Sequence, residues 1–240
     1  MKRNNSIAII TARGGSKRIP RKNIKEFCGK PMICYAIEAA LQSGVFDIVM
    51  VSTDDEEIAQ VARENGAEVP FMRSAETADD LATTDDVLRE VLETYRQRGE
   101  QFERFCCIYP ACPLLAKERL QEAMAMLKDC DGVMPVAKFS FPPQRGVFIR
   151  DGVLRRSYPE FTKIRTQDLE AMYHDAGQFY ALRTEAFLAA GTINVADLRP
   201  MVLPEMEVQD IDTEEDWGVA EFKYRYRHEF SEAAIKKRKQ

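Results

Sequence analysis

Strand-like and helix-like segments alternate from the first residues of this chain, and this alternation constrains the fold more than any other feature. Residues 6–11 form a short apolar run without period-two alternation, which is typical of a parallel strand buried on both faces. Residues 31–44 then carry apolar side chains at helical spacing. Further strands are predicted at 47–52, 68–71, 105–109 and 132–137, and further helices at 53–65 with its cap, 85–98 and 117–128.

This order predicts an α/β fold with an open, mostly parallel sheet in a three-layer arrangement. Ligands of such sheets bind beyond the carboxyl ends of the strands. We therefore expect the functional side chains in the loops that follow Thr11, Ser52, Phe71 and Tyr109.

The pattern changes after Lys138, and a lobe inserted into the sheet is expected over residues 138–175. Two apolar runs flank Asp151-Gly152 within it, which predicts a β-hairpin. The lobe is interpreted as a small dimerisation arm.

A strand at 178–182 is predicted to return to the sheet, and a final helix to begin near Thr213. The domain prediction is one domain over residues 1–228, followed by a basic tail over residues 229–240.

Charge and cysteine usage exclude several classes of partner. The chain has 34 Lys and Arg against 39 Asp and Glu, a net charge of −5, so neither nucleic acid nor an anionic membrane is expected as partner. The first apolar run is too short for a signal peptide. Its six cysteines form no CxxC pair, and only two histidines accompany them, which predicts reduced, mostly buried thiols rather than a zinc site. We therefore expect a cytoplasmic protein.

The loop after the first strand carries the strongest functional signal. Residues 13–22 contain five cations and the pair Gly14-Gly15, whose backbone can approach a ligand closely. Arg13, Lys17 and Lys22 are suited to neutralise a triphosphate. The segment matches neither GxxxxGK[ST] nor GxGxxG, so a P-loop or dinucleotide site is not supported. Judged by composition alone, a solvated basic loop is an equally good interpretation.

Three further groups of residues carry weaker functional signals than this loop does. Asp210 and Asp212 stand two residues apart on an extended segment and can share a hard cation, although Asp212 also suits a helix N-cap. Arg73 with residues 82–84 has the parts of a small pocket for a pyrimidine base. Residues 165–178 contain His174, which is as well suited to a structural hydrogen bond as to a substrate contact.

Taken together, these segments resemble the acylneuraminate (sialic acid) cytidylyltransferase family, most closely its pseudaminic acid branch. The family's nucleotide loop, Ala-Arg-Gly-Gly-Ser-Lys followed by two residues, Pro, one residue and Lys-Asn, is matched throughout residues 12–23. The likeness covers roughly residues 6–220, and its further matching segments are 27–31, 52–54, 73–76 and 209–213.

The resemblance implies a Rossmann-like nucleotidyltransferase fold with a mostly parallel sheet, and a homodimer whose inserted lobe crosses to the partner. It also implies the nucleotide site. The triphosphate and cytidine ligands would be Ala12, Arg13, Gly14, Gly15, Ser16, Lys17, Lys22, Asn23, Arg73, Ala82 and Thr84. Asp210 and Asp212 would hold Mg²⁺, and Thr84 stands where the family often has Ser.

Departures from the sialate pattern indicate the sugar. Tyr109 replaces a Gln that contacts the acylamino sugar in sialate enzymes, and His174 replaces an Arg. These features, with residues 138–142, are similar to the pseudaminic acid branch, whose substrate is a nine-carbon acidic sugar and whose product feeds surface glycan biosynthesis such as flagellin glycosylation. The sugar-binding residues expected on this basis are Tyr109, Lys138, Arg165, Gln167, His174 and Gln178.

The implied reaction is attack of the sugar's anomeric hydroxyl on the α-phosphorus of CTP, with release of pyrophosphate. Lys22 and Arg13 would offset the charge that grows on pyrophosphate, and Asp212 is a hypothetical proton acceptor. The alternatives are the same reaction on sialic, legionaminic or Kdo sugars, a metal-dependent glycosyltransferase, and a non-catalytic nucleotide-binding module. The basic Gly-Gly loop argues against the glycosyltransferase, and the paired aspartates against the module.

Overall fold

A seven-stranded sheet forms the centre of the computed structural model, which describes residues 2–79 and 81–238, with side chains for residues 6–79 and 81–228. The strands are β1 (Lys2–Thr11), β2 (Glu26–Phe27), β3 (Lys30–Pro31), β4 (Ile48–Ser52), β5 (Glu100–Ile108), β6 (Gly132–Lys138), β7 (Val147–Arg150), β8 (Val153–Arg156), β9 (Tyr173–Asp175), β10 (Phe179–Arg183) and β11 (Leu198–Leu203). The helices are α1 (Met32–Ser43), α2 (Glu56–Glu64), α3 (Ala75–Ala78), α4 (Thr84–Gln97), α5 (Lys117–Met126), α6 (Thr184–Ala190) and α7 (Glu214–Arg238).

The sheet is mostly parallel, as predicted. Its order is β11-β6-β10-β5-β1-β4, and β9 also pairs with β6. Strand β1 is parallel to both β4 and β5, and β11 is parallel to β6, whereas β9 and β10 run antiparallel to their neighbours. Strands β1, β4, β5 and β6 therefore end at the same edge, which is where the sequence places the functional loops.

Helices cover both faces of this sheet, which confirms the three-layer arrangement. On one face, Ile10 of β1 and Ile108 of β5 lie in a buried cluster with Ile37 of α1 and Leu120 of α5. On the other face, alternate strand residues pack against α4 and α6. Since every second residue of a strand faces the same side, β1 and β5 have to be apolar along their buried length.

A third cluster holds helix α7 against the short hairpin β2–β3. Phe27 makes edge-to-face contacts with Tyr35 and Trp217, at ring centroid distances of 5.5 and 5.3 Å. Ile19 from the nucleotide loop and Ile211 belong to the same cluster, and both are fully or almost fully buried. Burial of these two side chains fixes the segment 209–213 beside the loop that follows β1.

The predicted strand at 68–71 is wrong. Only an isolated bridge forms there, between Glu68 and Met50. Pro70 has no N–H to continue a ladder, and the chain turns so that the N–H of Arg73 donates to the carbonyl of Thr53 at 2.9 Å. Strands β2, β3, β9 and β11 and helices α3 and α6 were not predicted. Strand β11 contains Pro200 and is an edge strand, where proline is tolerated.

Residues 139–172 leave the sheet between β6 and β9, close to the predicted lobe. The predicted hairpin is present as β7–β8, and its turn residues Asp151 and Gly152 have φ angles of 52° and 73°. Positive φ at both central positions is the type I′ geometry that favours Asp-Gly. All residues of β7 and β8 are exposed. The lobe therefore presents apolar side chains that this chain does not cover.

Helix α7 continues beyond the predicted start of the basic tail, and its backbone is helical to Arg238. The side chains of residues 229–238 and all of residues 239–240 lie outside the described part of the chain, so the tail prediction is not tested. All six cysteines are unpaired, and five of them are buried. None of the described helices combines the length and the apolar composition that a membrane-spanning helix requires.

Candidate active site

A cavity of about 370 Å³ lies beyond the carboxyl end of β1. Most of its lining comes from the loop predicted to hold the triphosphate, and Asp212 closes one side. The full lining is Thr11, Arg13, Ser16, Lys17, Arg18, Ile19, Lys22, Asn23, Pro110 and Asp212. A cluster of four Lys and Arg side chains with only one carboxylate is suited to a polyanion.

Side-chain hydrogen bonds hold the loop from within. Asn23 is buried, and its Nδ2 donates to the carbonyl of Arg13 at 2.9 Å. Lys22 Nζ donates to the carbonyl of Ile211 at 2.6 Å, which joins the loop to the aspartate segment. Ala12 is fully buried, so it can offer only backbone groups to a ligand. Asn23 and Ala12 therefore shape the loop, while Arg13 and Lys17 are exposed at its surface.

Acidic residues that follow β4 make a hydrogen bond and ion pairs with the same loop. The N–H of Gly14 donates to Asp54 Oδ1 at 3.0 Å, so a phosphate could reach this amide only by displacing that carboxylate. Arg21 makes ion pairs with Asp55 and Glu57. Hydrogen bonding from Arg21 lowers the pKa of Asp55, against the opposing effect of burial. At Gly15, by contrast, an added Cβ would have nothing within 4 Å.

The two aspartates predicted to hold metal lie beside this loop. Asp212 Oδ2 is 2.8 Å from Arg18 Nη1, and Asp212 Oδ1 is 3.7 Å from Lys22 Nζ. Burial raises the pKa of Asp210, and the charge of Asp212 raises it further. A nearby cation would relieve that repulsion, so the pair fits a hard divalent ion.

Among the described residues, no group of three or more ligating side chains gathers at any point. A magnesium ion held by Asp210 and Asp212 would therefore need phosphate or water oxygens to complete its shell, which is its ordinary habit in nucleotide sites.

Two of the residues predicted to bind cytidine, Arg73 and Thr84, lie on the α4 side of the same edge, and the N–H of the third, Ala82, donates to Asp79 Oδ1 at 2.7 Å. Arg73 is buried, and it donates from Nε to Ser52 Oγ at 3.1 Å and from Nη2 to Ser52 O at 2.7 Å. Burial lowers the pKa of Arg73, and the charges of Asp54 and Glu90 oppose that change. Thr84 begins α4, and its Oγ1 is 3.2 Å from the hydroxyl of Tyr109.

The residues predicted to bind sugar do not form one cluster within this chain. Tyr109 packs on the α4 face, and Lys138 is exposed at the end of β6. His174 pairs with Ala137, whose side chain lies on the sheet face opposite to Tyr109. The ring of His174 is 4.9 Å from that of Phe139 and tilted by 58° to it. Paired residues of antiparallel strands share a face, so His174 and Lys138 point to opposite sides of the sheet.

The three remaining predicted sugar contacts are also separated. Gln178 is buried, and its amide donates to the carbonyl of Glu207. Arg165 and Gln167 are exposed in the lobe, where Arg165 Nε donates to Asp168 Oδ2 at 2.7 Å. Their role in sugar binding stays a prediction.

Several residues of the site were absent from the sequence prediction. Arg18, Thr11 and Pro110 line the cavity, and Asp54 and Arg21 brace the loop. The contact between Asp54 and the loop could have been expected from the sequence. Acidic residues follow β4 immediately, and the carboxyl ends of adjacent parallel strands lie at the same edge of the sheet. Tyr180 and Asp175, which bond to each other, were not named as site residues, although Asp175 lies within the group at residues 165–178.

A larger groove of about 770 Å³ lies at the opposite, amino-terminal end of the parallel strands. Its lining alternates acidic and basic side chains, such as Glu103 and Arg104, and contains none of the predicted site residues. It has neither the charge bias nor the loop amides of the cavity beside β1, so it is not the candidate active site.

Comparison with known proteins agrees with the geometry. A family model described as cytidylyltransferase matches residues 7–189. The pseudaminic acid cytidylyltransferase of Campylobacter jejuni subsp. jejuni serotype O:2 is 40% identical over 227 residues, covering 93% of this chain and 98% of that protein. The CMP-N,N'-diacetyllegionaminic acid synthase of Legionella pneumophila subsp. pneumophila is 31% identical, covering 90% of this chain and 94% of that protein.

Among solved structures, a CMP:2-keto-3-deoxy-manno-octonic acid synthetase complexed with CTP aligns with a TM-score of 0.65. It is 19% identical and covers 90% of this chain and 97% of that chain. At this identity the match concerns the fold, and it confirms the Rossmann-like nucleotidyltransferase architecture predicted from the sequence.

Proposed function

The chain belongs to the cytidylyltransferase family, and we propose that it transfers CMP from CTP to the anomeric hydroxyl of pseudaminic acid, releasing pyrophosphate. The observation that carries this proposal is the cavity beside β1, where Arg13, Lys17, Arg18 and Lys22 converge next to Asp212. A polyphosphate is the ligand that such a cluster would neutralise. The similarity to a pseudaminic acid cytidylyltransferase over almost the whole chain supports the same reaction.

The reaction requires mainly that the reactants are positioned correctly and that the negative charge on the leaving group is stabilised. The anomeric oxygen forms a bond to the α-phosphorus of CTP, the bond from that phosphorus to the bridging oxygen breaks, and pyrophosphate carries the electrons away. Arg13 and Lys22 both line the cavity, and in this proposal their charges stabilise the leaving group. Lys22 is held by its bond to the Ile211 carbonyl, so its charge is oriented before the substrate arrives.

Asp210 and Asp212 would hold a magnesium ion, which would supply positive charge against the phosphates and would make the sugar hydroxyl more acidic. Arg18 pairs with Asp212, but its side chain is 68% exposed, and such surface pairs contribute little. Asp212 could therefore leave Arg18 and bind the metal ion instead. Its role as acceptor of the hydroxyl proton remains part of the proposal.

The choice of sugar rests on Tyr109 and His174. The relative named for pseudaminic acid is 40% identical, against 31% for the relative named for the legionaminic product. A tyrosine and a histidine present donors and acceptors unlike those of the Gln and Arg expected in sialate enzymes, which supports a different pattern of polar groups on the sugar.

A homodimer is also part of the proposal. Phe141, Ile149 and Leu154 are 84%, 74% and 68% exposed on the lobe, so an apolar surface is left uncovered. A second copy that packs on this surface would bring its own lobe toward the neighbouring cavity. That arrangement explains why Arg165 and Gln167 lie apart from the other predicted sugar contacts within one chain.

The test is release of pyrophosphate from CTP and Mg²⁺, with pseudaminic, sialic and legionaminic acids offered in parallel. Release with pseudaminic acid is expected, together with a CMP-sugar of matching mass. Release with only another sugar would retain the nucleotide site and discard the interpretation of Tyr109 and His174. Binding of CTP without release for any sugar would overturn the assigned reaction.

A further inference from the structure

A short 3₁₀ turn at Glu205–Glu207 leads into the segment that carries Asp210 and Asp212. Side chains from α5, β10 and α7 bond to this turn and to Val208, the residue that follows it. None of these three side chains lines the cavity beside β1. The turn is therefore held by groups that lie outside the proposed nucleotide site.

Glu207 is fixed through its side chain and its main chain together. Arg119 of α5 donates from Nε to Glu207 Oε2 at 2.9 Å and from Nη2 to Glu207 Oε1 at 3.2 Å. These side chains are only 28% and 20% exposed, and a bidentate pair of this kind fixes geometry as well as charge. The amide of Gln178 on β10 donates to the Glu207 carbonyl. Glu207 therefore cannot rotate or slide without breaking one of these bonds.

Lys223 of α7 holds the carboxyl end of the turn. Its Nζ donates to the carbonyl of Val208 at 2.7 Å and to that of Glu205 at 3.1 Å. Among the residues that the structure describes, no carboxylate forms an ion pair with this ammonium, although burial lowers the pKa of Lys223 against the opposing charge of Glu205. A partly buried charge without an ion pair costs free energy that a methionine at this position would avoid. What the ammonium provides is two bonds that close the turn, as lysines do at the ends of helices.

The main chain on either side of Asp210 is anchored. Val208 is 7% exposed and lies in the core cluster on the α1 and α5 face of the sheet. Ile211 is 1% exposed, and its carbonyl accepts from Lys22 Nζ at 2.6 Å. Only Gln209 and Asp210 lie between these two buried residues. The place of the Asp210 carboxylate beside the loop after β1 therefore depends on where the turn is held.

We propose that Arg119, Gln178 and Lys223 are positioning residues: by fixing the turn, they hold Asp210 where it can share a divalent cation with Asp212. The inference rests on the proposed function, since it requires these two aspartates to bind the metal. Arg119 and Lys223 lie outside the segments that carry the family resemblance. Groups that orient metal ligands in this way commonly change metal affinity by about 10- to 100-fold.

The measurement is the dissociation constant for Mn²⁺, a substitute for Mg²⁺ whose free ion is counted by its paramagnetic resonance signal, without nucleotide or sugar. Asp210→Asn identifies the binding that depends on the aspartate pair. Lys223→Met keeps most of the length of the side chain and removes both bonds to the turn, so we expect this binding to weaken about tenfold. A purely electrostatic effect has the opposite sign, because loss of a positive charge favours a nearby cation.

Arg119→Lys is the second variant. It retains the positive charge but lacks the planar fork that bonds to both oxygens of Glu207. The affinity for Mn²⁺ should fall in the same direction by a smaller factor, and this variant decides the question if Lys223→Met does not fold.

Lys30→Met is the matched control, because Lys30 is also partly buried but pairs with Glu38 of α1 and lies over the Tyr35 ring at 4.1 Å. Its Mn²⁺ affinity should equal that of the wild type. Unchanged or tighter Mn²⁺ binding in whichever of the two variants folds would overturn the inference. Wild-type binding that Asp210→Asn does not weaken would overturn it together with the metal assignment. Pyrophosphate release from CTP tests the reaction separately, so neither result would by itself remove the proposed function.

Discussion

The nucleotide loop (residues 11–23) and the lobe (residues 139–172) both leave the sheet at the same edge, but their contacts with the rest of the protein differ sharply. The loop is braced by Asn23 from within and by Asp54 and Asp55 from outside. In the lobe, every residue of the β7–β8 hairpin is exposed, and the side chain of Arg145 instead bonds to lobe carbonyls such as that of Phe161. The nucleotide half of the site is thus organised by one chain, whereas the lobe carries an apolar surface suited to a second copy.

The difference matters for catalysis because a preoriented site loses less free energy on binding and stabilises developing charge without rearrangement. The loop meets that requirement within the chain. The predicted sugar contacts do not, since Lys138 and His174 lie on opposite faces of the sheet and Arg165 lies in the lobe.

The largest effect is expected at the aspartate pair. Asp212→Asn removes the charge that the proposed metal requires while keeping the size of the side chain, so pyrophosphate release should fall by about a thousandfold or more. The dissociation constant for CTP should stay within about threefold of wild type, because the loop cations remain. Near-normal turnover in this variant would remove the metal-ligand assignment.

The bracing of the loop can be broken with a single methyl group. A Cβ on Gly14 would lie 2.8 Å from Asp55 Oδ2, whereas a Cβ on Gly15 has nothing within 4 Å. Gly14→Ala should displace the loop and weaken CTP binding about tenfold or more, since overpacking costs about 1–3 kcal/mol. Gly15→Ala is the matched comparison and should weaken CTP binding less, because no protein atom obstructs its Cβ. Equal affinities for the two variants would contradict the bracing.

A smaller effect is expected from the ion pair that anchors Arg21. The pKa of Asp55 is lowered in the folded protein, so the pair stabilises the fold above the unfolded aspartate pKa of about 4 and loses that contribution as the pH falls through the lowered value. Arg21→Met should therefore reduce the free energy of unfolding by up to about 1 kcal/mol at pH 7. Denaturation at pH 7 and pH 2.5 checks this, because the difference from wild type should vanish in acid.

Local sequence was sufficient where a feature is built from neighbouring residues. The loop follows from Gly14-Gly15 and its cations, and the hairpin turn follows from Asp151-Gly152. The strand predicted at 68–71 failed because Pro70 ends the ladder after one bridge, and β11 was missed because Pro200 lies in an edge strand.

Features that depend on strand pairing could not be predicted from the sequence. The register of β9 against β6 decides that His174 and Lys138 face apart, and a one-residue shift would reverse it. The brace from Asp54 to Gly14 joins residues forty positions apart.

The most direct test of the contrast between loop and lobe combines two substitutions on the hairpin, Ile149→Glu and Leu154→Glu. We predict that sedimentation shows a dimer for the wild type and a monomer for this variant, which should still bind CTP within about twofold but release pyrophosphate about a hundredfold more slowly, as expected when substrate contacts are displaced. Leu188→Glu, an exposed apolar residue at the opposite end of the sheet, should remain dimeric and active. A monomeric variant with wild-type turnover, or one that no longer binds CTP, would contradict the account.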